Sequence, residues 1–326
     1  MEQISDAVWR IPLPLPLDDL REINCYALLS TSTLTLIDPG WHEPASERVL
    51  VGALSELGAA PQDVEKILVT HAHWDHYTRA LDWQQRYGIT VYLGFEEHHT
   101  IDAFDLADGA HPRQVELLRR TGAHDLAAAV MGLDLAEYER DQPFRPPDIW
   151  VVDGQAVDCG PCSIQVLSTP GHTRGHVVYE MQGTPLLFTG DHLLPRITPS
   201  LAFERAPEDS PLTSYMDSLE RIARGPERRM LPAHGVASAS ATLRARELLN
   251  HHSQRLDEIR THLQGRATAL EVAERMRWTR HNRTLGQLNP IHAMTAVLEV
   301  RAHLEYLVSN GGVTKQDDDA EDHYTA

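Results

Sequence analysis

The chain has 326 residues, of which 42% are hydrophobic, and a formal net charge of −18. That is enough apolar side chain for a substantial core, while the acidity repels nucleic acid and anionic membrane by default. No stretch approaches the roughly 18 unbroken apolar residues that a membrane span requires. The N-terminus lacks the basic-then-apolar order of a secretory signal and three cysteines cannot all pair, so a cytoplasmic setting is expected.

The negative charge is concentrated in the first 236 residues, and the same stretch carries the strand patterns. The Pro12–Pro16 alternation reads as an edge strand or extended lead-in. Short apolar, β-branched runs follow at Leu34–Ile37, Ile67–Thr70, Ile149–Val152, Ile164–Leu167, Val177–Tyr179 and Leu186–Thr189, each ending in a Gly, Pro, Asp or His cluster. Helical patterns at Ala45–Leu57 and Arg79–Tyr87 alternate with them, which predicts a layered α/β domain over 1–236. From Glu96 to Pro147 the texture becomes rich in Ala, Leu and His, with helices expected at Pro112–Thr121 and His124–Met131. This is read as a helical insertion, either a lid or a packing embellishment. Cys159-Gly160-Pro161-Cys162 lies between strand patterns rather than at a helix start, and reads as a hairpin turn.

Beyond His234 the pattern is helical, over Ser240–Leu263, Thr268–Trp278 and from Asn289-Pro290 through Leu307. Residues 237–312 are thus expected to form a small, mainly helical C-terminal domain, and its Thr268–Met276 segment with the later helix resembles a winged-helix appendage. Its Arg266, Arg275, Arg277, Arg280 and Arg283 leave RNA binding open. Packing or homodimerisation is the expected role, since Trp278 is the lone aromatic there suited to base stacking. Residues 313–326, with Asp317-Asp318-Asp319, are expected to be an acidic disordered tail.

Chemistry concentrates in Thr70-His71-Ala72-His73-Trp74-Asp75-His76. Three imidazoles and a carboxylate within six residues are costly to bury unpaired, and His with Asp suits zinc or iron(II). Thr169-Pro170-Gly171-His172-Thr173, Thr189-Gly190-Asp191-His192 and Leu231-Pro232-Ala233-His234-Gly235 each place a His or Asp just past an apolar step. His98-His99 and His251-His252 fall on helical patterns, where neighbours diverge by about 100°, and are not expected to bind metal.

In this order these segments resemble the metallo-β-lactamase superfamily, whose HxHxDH motif is followed by isolated His, Asp and His ligands. The resemblance covers roughly residues 1–236 and implies an αββα sandwich with metals at one edge. It implies two divalent ions, zinc first with iron or manganese as alternatives. One would take His71, His73 and His172, the other Asp75, His76 and His234, with Asp191 bridging and Asp38 supporting a metal-bound His. The implied reaction is hydrolysis by a metal-bridging hydroxide, with Asp75 as the catalytic carboxylate.

The bridging Asp191 turns the resemblance from the true β-lactamase classes toward hydroxyacylglutathione hydrolases, lactonases and nucleic-acid-processing members. Two departures matter. Tyr77-Thr78-Arg79-Ala80 stands where most members carry Gly-Gly, and His192-Leu193-Leu194-Pro195-Arg196 follows Asp191 in place of a Gly-Cys-Gly-Arg stretch. Tyr77, His192 and Arg196 are taken as substrate contacts. The expected substrate is a small-molecule ester, thioester or lactone, and single-strand RNA cleavage is the alternative.

Overall fold

The computed structural model describes residues 1–326 except 18–19, 31–32, 106–107, 135–143, 161, 238–239, 280 and 318–319. The chain opens as a meander of β1 (Glu2–Ser5), β2 (Val8–Pro14), β3 (Glu22–Leu29) and β4 (Leu34–Ile37). Three parallel strands extend it: β5 (Val64–Leu68), β6 (Thr90–Gly94) and β7 (Ile149–Val151), giving a seven-stranded sheet in sequence order. Helix α1 (Pro44–Glu56) joins β4 to β5, and α2 (Trp74–Tyr87) joins β5 to β6. Pro12 and Pro14 lie in β2 beyond the residues that pair with β1, where a missing N–H breaks no ladder on that side.

A second sheet of five strands comprises β8 (Ala156–Asp158), β9 (Ser163–Ser168), β10 (Val177–Met181), β11 (Leu186–Gly190) and β12 (Arg229–Pro232). Of their pairings only β11–β12 is parallel. Cys159 and Cys162 close the β8–β9 hairpin, with Cys159 N donating to Cys162 O at 3.0 Å; Pro161 lies outside the described residues.

Alternation along the strands assigns side chains to layers. Tyr26, Leu28, Ile37 and Leu68 of the first sheet meet Ile164, Val166, Tyr179 and Phe188 of the second. On the far side of the first sheet, Ile23, Cys25, Leu36 and Ile67 pack against Leu50 and Leu54 of α1 and Leu81 and Trp83 of α2. Val178, Leu187 and Met230 point outward from the second sheet onto Leu212, Tyr215 and Leu219 of the crossover helix, which spans Pro211–Arg224. The four layers are therefore helix, sheet, sheet, helix.

The insertion contributes α3 (His98–Asp102), α4 (Pro112–Arg120) and α5 (His124–Met131), after which the Pro211–Arg224 helix is α6. Helices α7 (Ala241–His262), α8 (Ala269–Arg275) and α9 (Pro290–Ser309) follow. Val115, Leu118 and Val130 of the insertion share one apolar cluster with Leu248, Val272 and Val297 of these helices and with the outer face of the second sheet. Helices α4 and α5 are thus packed structure rather than a free lid.

The tail departs from expectation. Residues Thr314–Asp317 (β13) and Asp322–Thr325 (β14) pair as an antiparallel hairpin. Tyr324 is fully buried, exchanges backbone hydrogen bonds with Ala267 and donates its hydroxyl to Glu305. Arg120 and Lys315 neutralise the buried Asp322. An aromatic anchor and two cations overcome the acidity that suggested disorder; Asp318 and Asp319 lie outside the described residues.

Helix α2 begins at Trp74, five residues before the expected start, with His73 extended as its N-cap. The polar motif reads as loop in the sequence, yet Asp75 in a first helical turn is favoured by the exposed N–H groups there. Strand β3 is interrupted in its apolar pattern by Asn24, which is buried because its amide donates to Pro232 O (2.9 Å) and Gly235 O (2.7 Å).

Candidate metal centre

The ends of β5, β9, β11 and β12 converge. His71 and His73 occupy the link from β5 to α2, and Asp75 and His76 lie on the first turn of α2. His172 follows β9, Asp191 follows β11 and His234 follows β12. Their ligating atoms form three overlapping sets, His71–His73–His172, His71–His76–Asp191 and Asp75–His76–His234, each within 4.8 Å.

His172 Nε2 lies 3.1 Å from His73 Nδ1, close to the ~3.3 Å separating two nitrogens on one tetrahedral zinc-like ion. Asp191 faces both ways. Its Oδ2 is 3.6 Å from His172 Nε2, while its Oδ1 is 3.4 Å from His234 Nε2 and 3.7 Å from His76 Nε2. Asp75 Oδ2 lies 3.3 Å from His234 Nε2 and 3.7 Å from His76 Nε2.

The residues fit a metal on their own chemistry. Nε2 of His71, His76 and His234 and Oδ1 of Asp191 are buried without a directed hydrogen bond. Each unsatisfied buried group costs about 1–3 kcal/mol, so their convergence calls for a cation. The opposite ring nitrogens are held: His172 Nδ1 by Ser200 O (2.7 Å), His234 Nδ1 by Glu22 O (2.9 Å) and His76 Nδ1 by Asp38 Oδ2 (3.0 Å). Such acceptors keep the proton on Nδ1 and leave the Nε2 lone pair facing inward. Asp38 is buried at φ 51° and also accepts from Thr70 N (2.8 Å) and Thr70 Oγ1 (2.9 Å). Thr70 Oγ1 in turn sits 3.1 Å from His71 Nδ1.

The two halves differ electrostatically. Burial and neighbouring imidazoles hold His71 well below the ordinary histidine value, and burial likewise lowers His73 and His172. Burial also opposes charge on His76 and His234, but carboxylates outweigh it. Asp75 and Asp38 raise His76, and Asp191 with Asp75 pushes His234 up to about 10. Despite its own burial, Asp75 is held well below the carboxylate range by His76 and His234. Protons on these histidines balance the carboxylates, and a divalent ion would take over that role.

The three expected substrate contacts do not gather at the site's opening. Tyr77 is fully buried, packs in the core beneath α2 and donates to Arg145 O at 2.6 Å. His192 is fully buried beside Tyr215, at 5.3 Å between rings. Both leave the surface because the residues after each motif turn into packing layers. Arg196 is exposed, with no hydrogen bond or ion pair among the described residues. The Tyr77–Ala80 departure has a packing role: Thr78 Oγ1 accepts from His42 N, and buried Arg79 donates to Glu43 O and pairs with Asp82.

Other residues carry the site from outside the ligand set. His176 is buried, its Nε2 accepts from Asp191 N (3.2 Å), and its Nδ1 lies 2.9 Å from Thr169 Oγ1. Its four-residue spacing from His172 was the available signal. Gly190, at φ 49°, admits no side chain, since a Cβ would stand 2.6 Å from Thr70 Oγ1 and 2.7 Å from His176 Nε2. Glu97 is buried beneath the His172 loop, accepts from Thr173 Oγ1 and is pushed well up by burial and Glu204.

A family model described as the metallo-beta-lactamase superfamily matches residues 18–234. A metallo-beta-lactamase family protein from Thermus thermophilus superposes with a TM-score of 0.80 at 27% identity, covering 99% of both chains. A beta-lactamase domain protein from Burkholderia ambifaria does so at 0.76 and 25% identity, covering 99% of this chain and 94% of that one. The chain is also similar to a hydroxyacylglutathione hydrolase from Rhodobacter capsulatus, 30% identical over 202 residues, or 61% of this chain and 62% of the relative.

Proposed function

Because the chain belongs to the metallo-β-lactamase superfamily and is a metal-dependent hydrolase, we propose that it holds two divalent ions, zinc foremost, and cleaves a small-molecule ester, thioester or lactone. The observation that carries this reading is the position of Asp191, whose two oxygens face His172 on one side and His76 and His234 on the other. His71, His73 and His172 would hold one ion, and Asp75, His76 and His234 the other, with Asp191 shared.

When bound, such ions supply a water activated for attack near neutral pH and stabilise charge developing on the substrate oxygen. The chain does the rest. Asp75 is half-buried and held ionised by His76 and His234, so its carboxylate would accept a hydrogen bond from the attacking water and orient it. Asp38, Ser200 O and Glu22 O keep imidazole protons on the far nitrogens. A cysteine nucleophile is not favoured: burial raises the thiols of Cys25, Cys159 and Cys162.

Two observations weigh against RNA. Trp278 is buried, its Nε1 donates to Ala273 O, and the Arg255 guanidinium lies 4.5 Å over its ring, leaving no platform for a base. Arg275 donates to His262 O, which ties this guanidinium to the fold. Arg280 lies outside the described residues. Metal-loaded protein should cleave members of an ester, thioester and lactone panel, and chelation or His73→Ala should reduce turnover at least about 100-fold. Undiminished turnover after both treatments would refute the metal mechanism; cleavage of labelled single-stranded RNA with no turnover of the panel would refute the substrate class.

A further inference from the structure

Of residues 67–81, which carry four of the seven candidate ligands, solvent reaches only His73, Trp74 and Asp75. The part of this segment that reaches the surface is therefore two ligands with the indole between them in the chain. Trp74 is braced by Phe144, at 4.9 Å between rings and 90°, and by Phe104, at 5.5 Å and 67°. Phe104 and Phe144 themselves stack at 4.3 Å and 37°. These two come from opposite ends of the insertion, and the Arg205 guanidinium lies 4.4 Å over the Phe104 ring. The half-exposed Trp74 thus has a fixed aromatic backing.

The rim beside His234 is also apolar. Val236 and Ile197 are 58% and 53% exposed, on the segments that follow His234 and Asp191. Gly235 lies so close to Pro195 that a Cβ would stand 2.9 Å from its ring, which brings the two segments together, and Arg244 of α7 donates to the carbonyls of Leu194 and Ile197. Water leaves such surfaces favourably when an apolar group covers them.

We propose that Trp74, backed by Phe104 and Phe144, is the specificity-determining residue of this site and that the substrate carries a medium-length or long apolar acyl group lying against its indole. This rests on the hydrolase reading above. An acyl carbon chain leaving the reacting carbonyl on the His73–Asp75 side would run over the surface that Trp74 shares with these two residues. The insertion then acts in specificity by delivering Phe104 and Phe144, while its helices α4 and α5 stay in the core. A short polar acyl group would leave the aromatic wall wet and gain nothing from it.

The test is a homologous series of p-nitrophenyl esters and acyl-CoA thioesters, from acetyl to decanoyl, with zinc-loaded wild type, Trp74→Ala and Trp74→Phe. Metal content is measured alongside. In the wild type kcat/KM should rise by up to about fourfold per methylene, the factor that burying one methylene supplies. In Trp74→Ala the rise should shrink to less than about twofold per methylene at unchanged metal content, with Trp74→Phe recovering most of it. A flat wild-type series, or an equal loss at every chain length in Trp74→Ala, would overturn the proposal while leaving the hydrolase reading intact. Absence of turnover on every ester and thioester, and on the lactones of the panel above, would instead overturn that reading, and this one with it.

Discussion

Asp38→Asn separates the orientation of a ligand from the stability of the fold. Asp38 accepts three hydrogen bonds, from Thr70 N (2.8 Å), Thr70 Oγ1 (2.9 Å) and His76 Nδ1 (3.0 Å), and does so from a backbone at φ 51°. Asparagine has the same shape and tolerates that backbone region. Its carbonyl can keep the bond from Thr70 N, but its amide then points a donor at His76 Nδ1. The imidazole must either lose that bond or move its proton to Nε2, which is the atom facing the ion. One weakened charge-assisted bond costs about 1.5–3 kcal/mol of stability, whereas loss of such an orienting partner lowers metal affinity about 10–100-fold. Competition against a chromophoric chelator gives the affinity, and urea unfolding of the metal-free protein gives the stability. Retention of wild-type metal affinity would refute the claim that Asp38 selects the His76 tautomer.

Other consequences follow from neighbouring elements. Gly190→Ala puts a Cβ against Thr70 and His176 at φ 49°, and should cost at least about 2 kcal/mol by urea unfolding together with metal affinity; a neutral result would mean the loop adjusts freely. Glu97 titrates above the ordinary carboxyl range, so its contribution is complete below about pH 4 and is lost as pH rises toward its folded-state value. Glu97→Gln, which cannot ionise, should therefore gain stability relative to wild type at pH 8 compared with pH 5, and an equal difference at both pH values would contradict this. Tyr324→Ala should lower unfolding free energy by about 3–5 kcal/mol, because the side chain is fully buried against the C-terminal helices; a loss below about 1 kcal/mol would show the hairpin to be dispensable.

What the sequence by itself determined is the family and the residues that meet at the strand ends. Ligation demands particular donor atoms, and only histidine and carboxylate side chains bring them, so His71, His73, Asp75, His76, His172, Asp191 and His234 stand out wherever the chain places them. Residues acting through position alone carry no such mark. His176 differs from a surface histidine only because Asp191 N reaches its ring, and Tyr77 differs from a substrate contact only because its face of α2 turns inward. The tail looked disordered because composition counts its acids and cannot see Arg120, 202 residues away, arriving opposite Asp322. Likewise Trp74 became a wall of the site only when two phenylalanines, forty residues apart, closed on it. Local chemistry is written in residue type; burial, facing and pairing depend on contacts between distant parts of the chain, and those the tertiary structure alone decided.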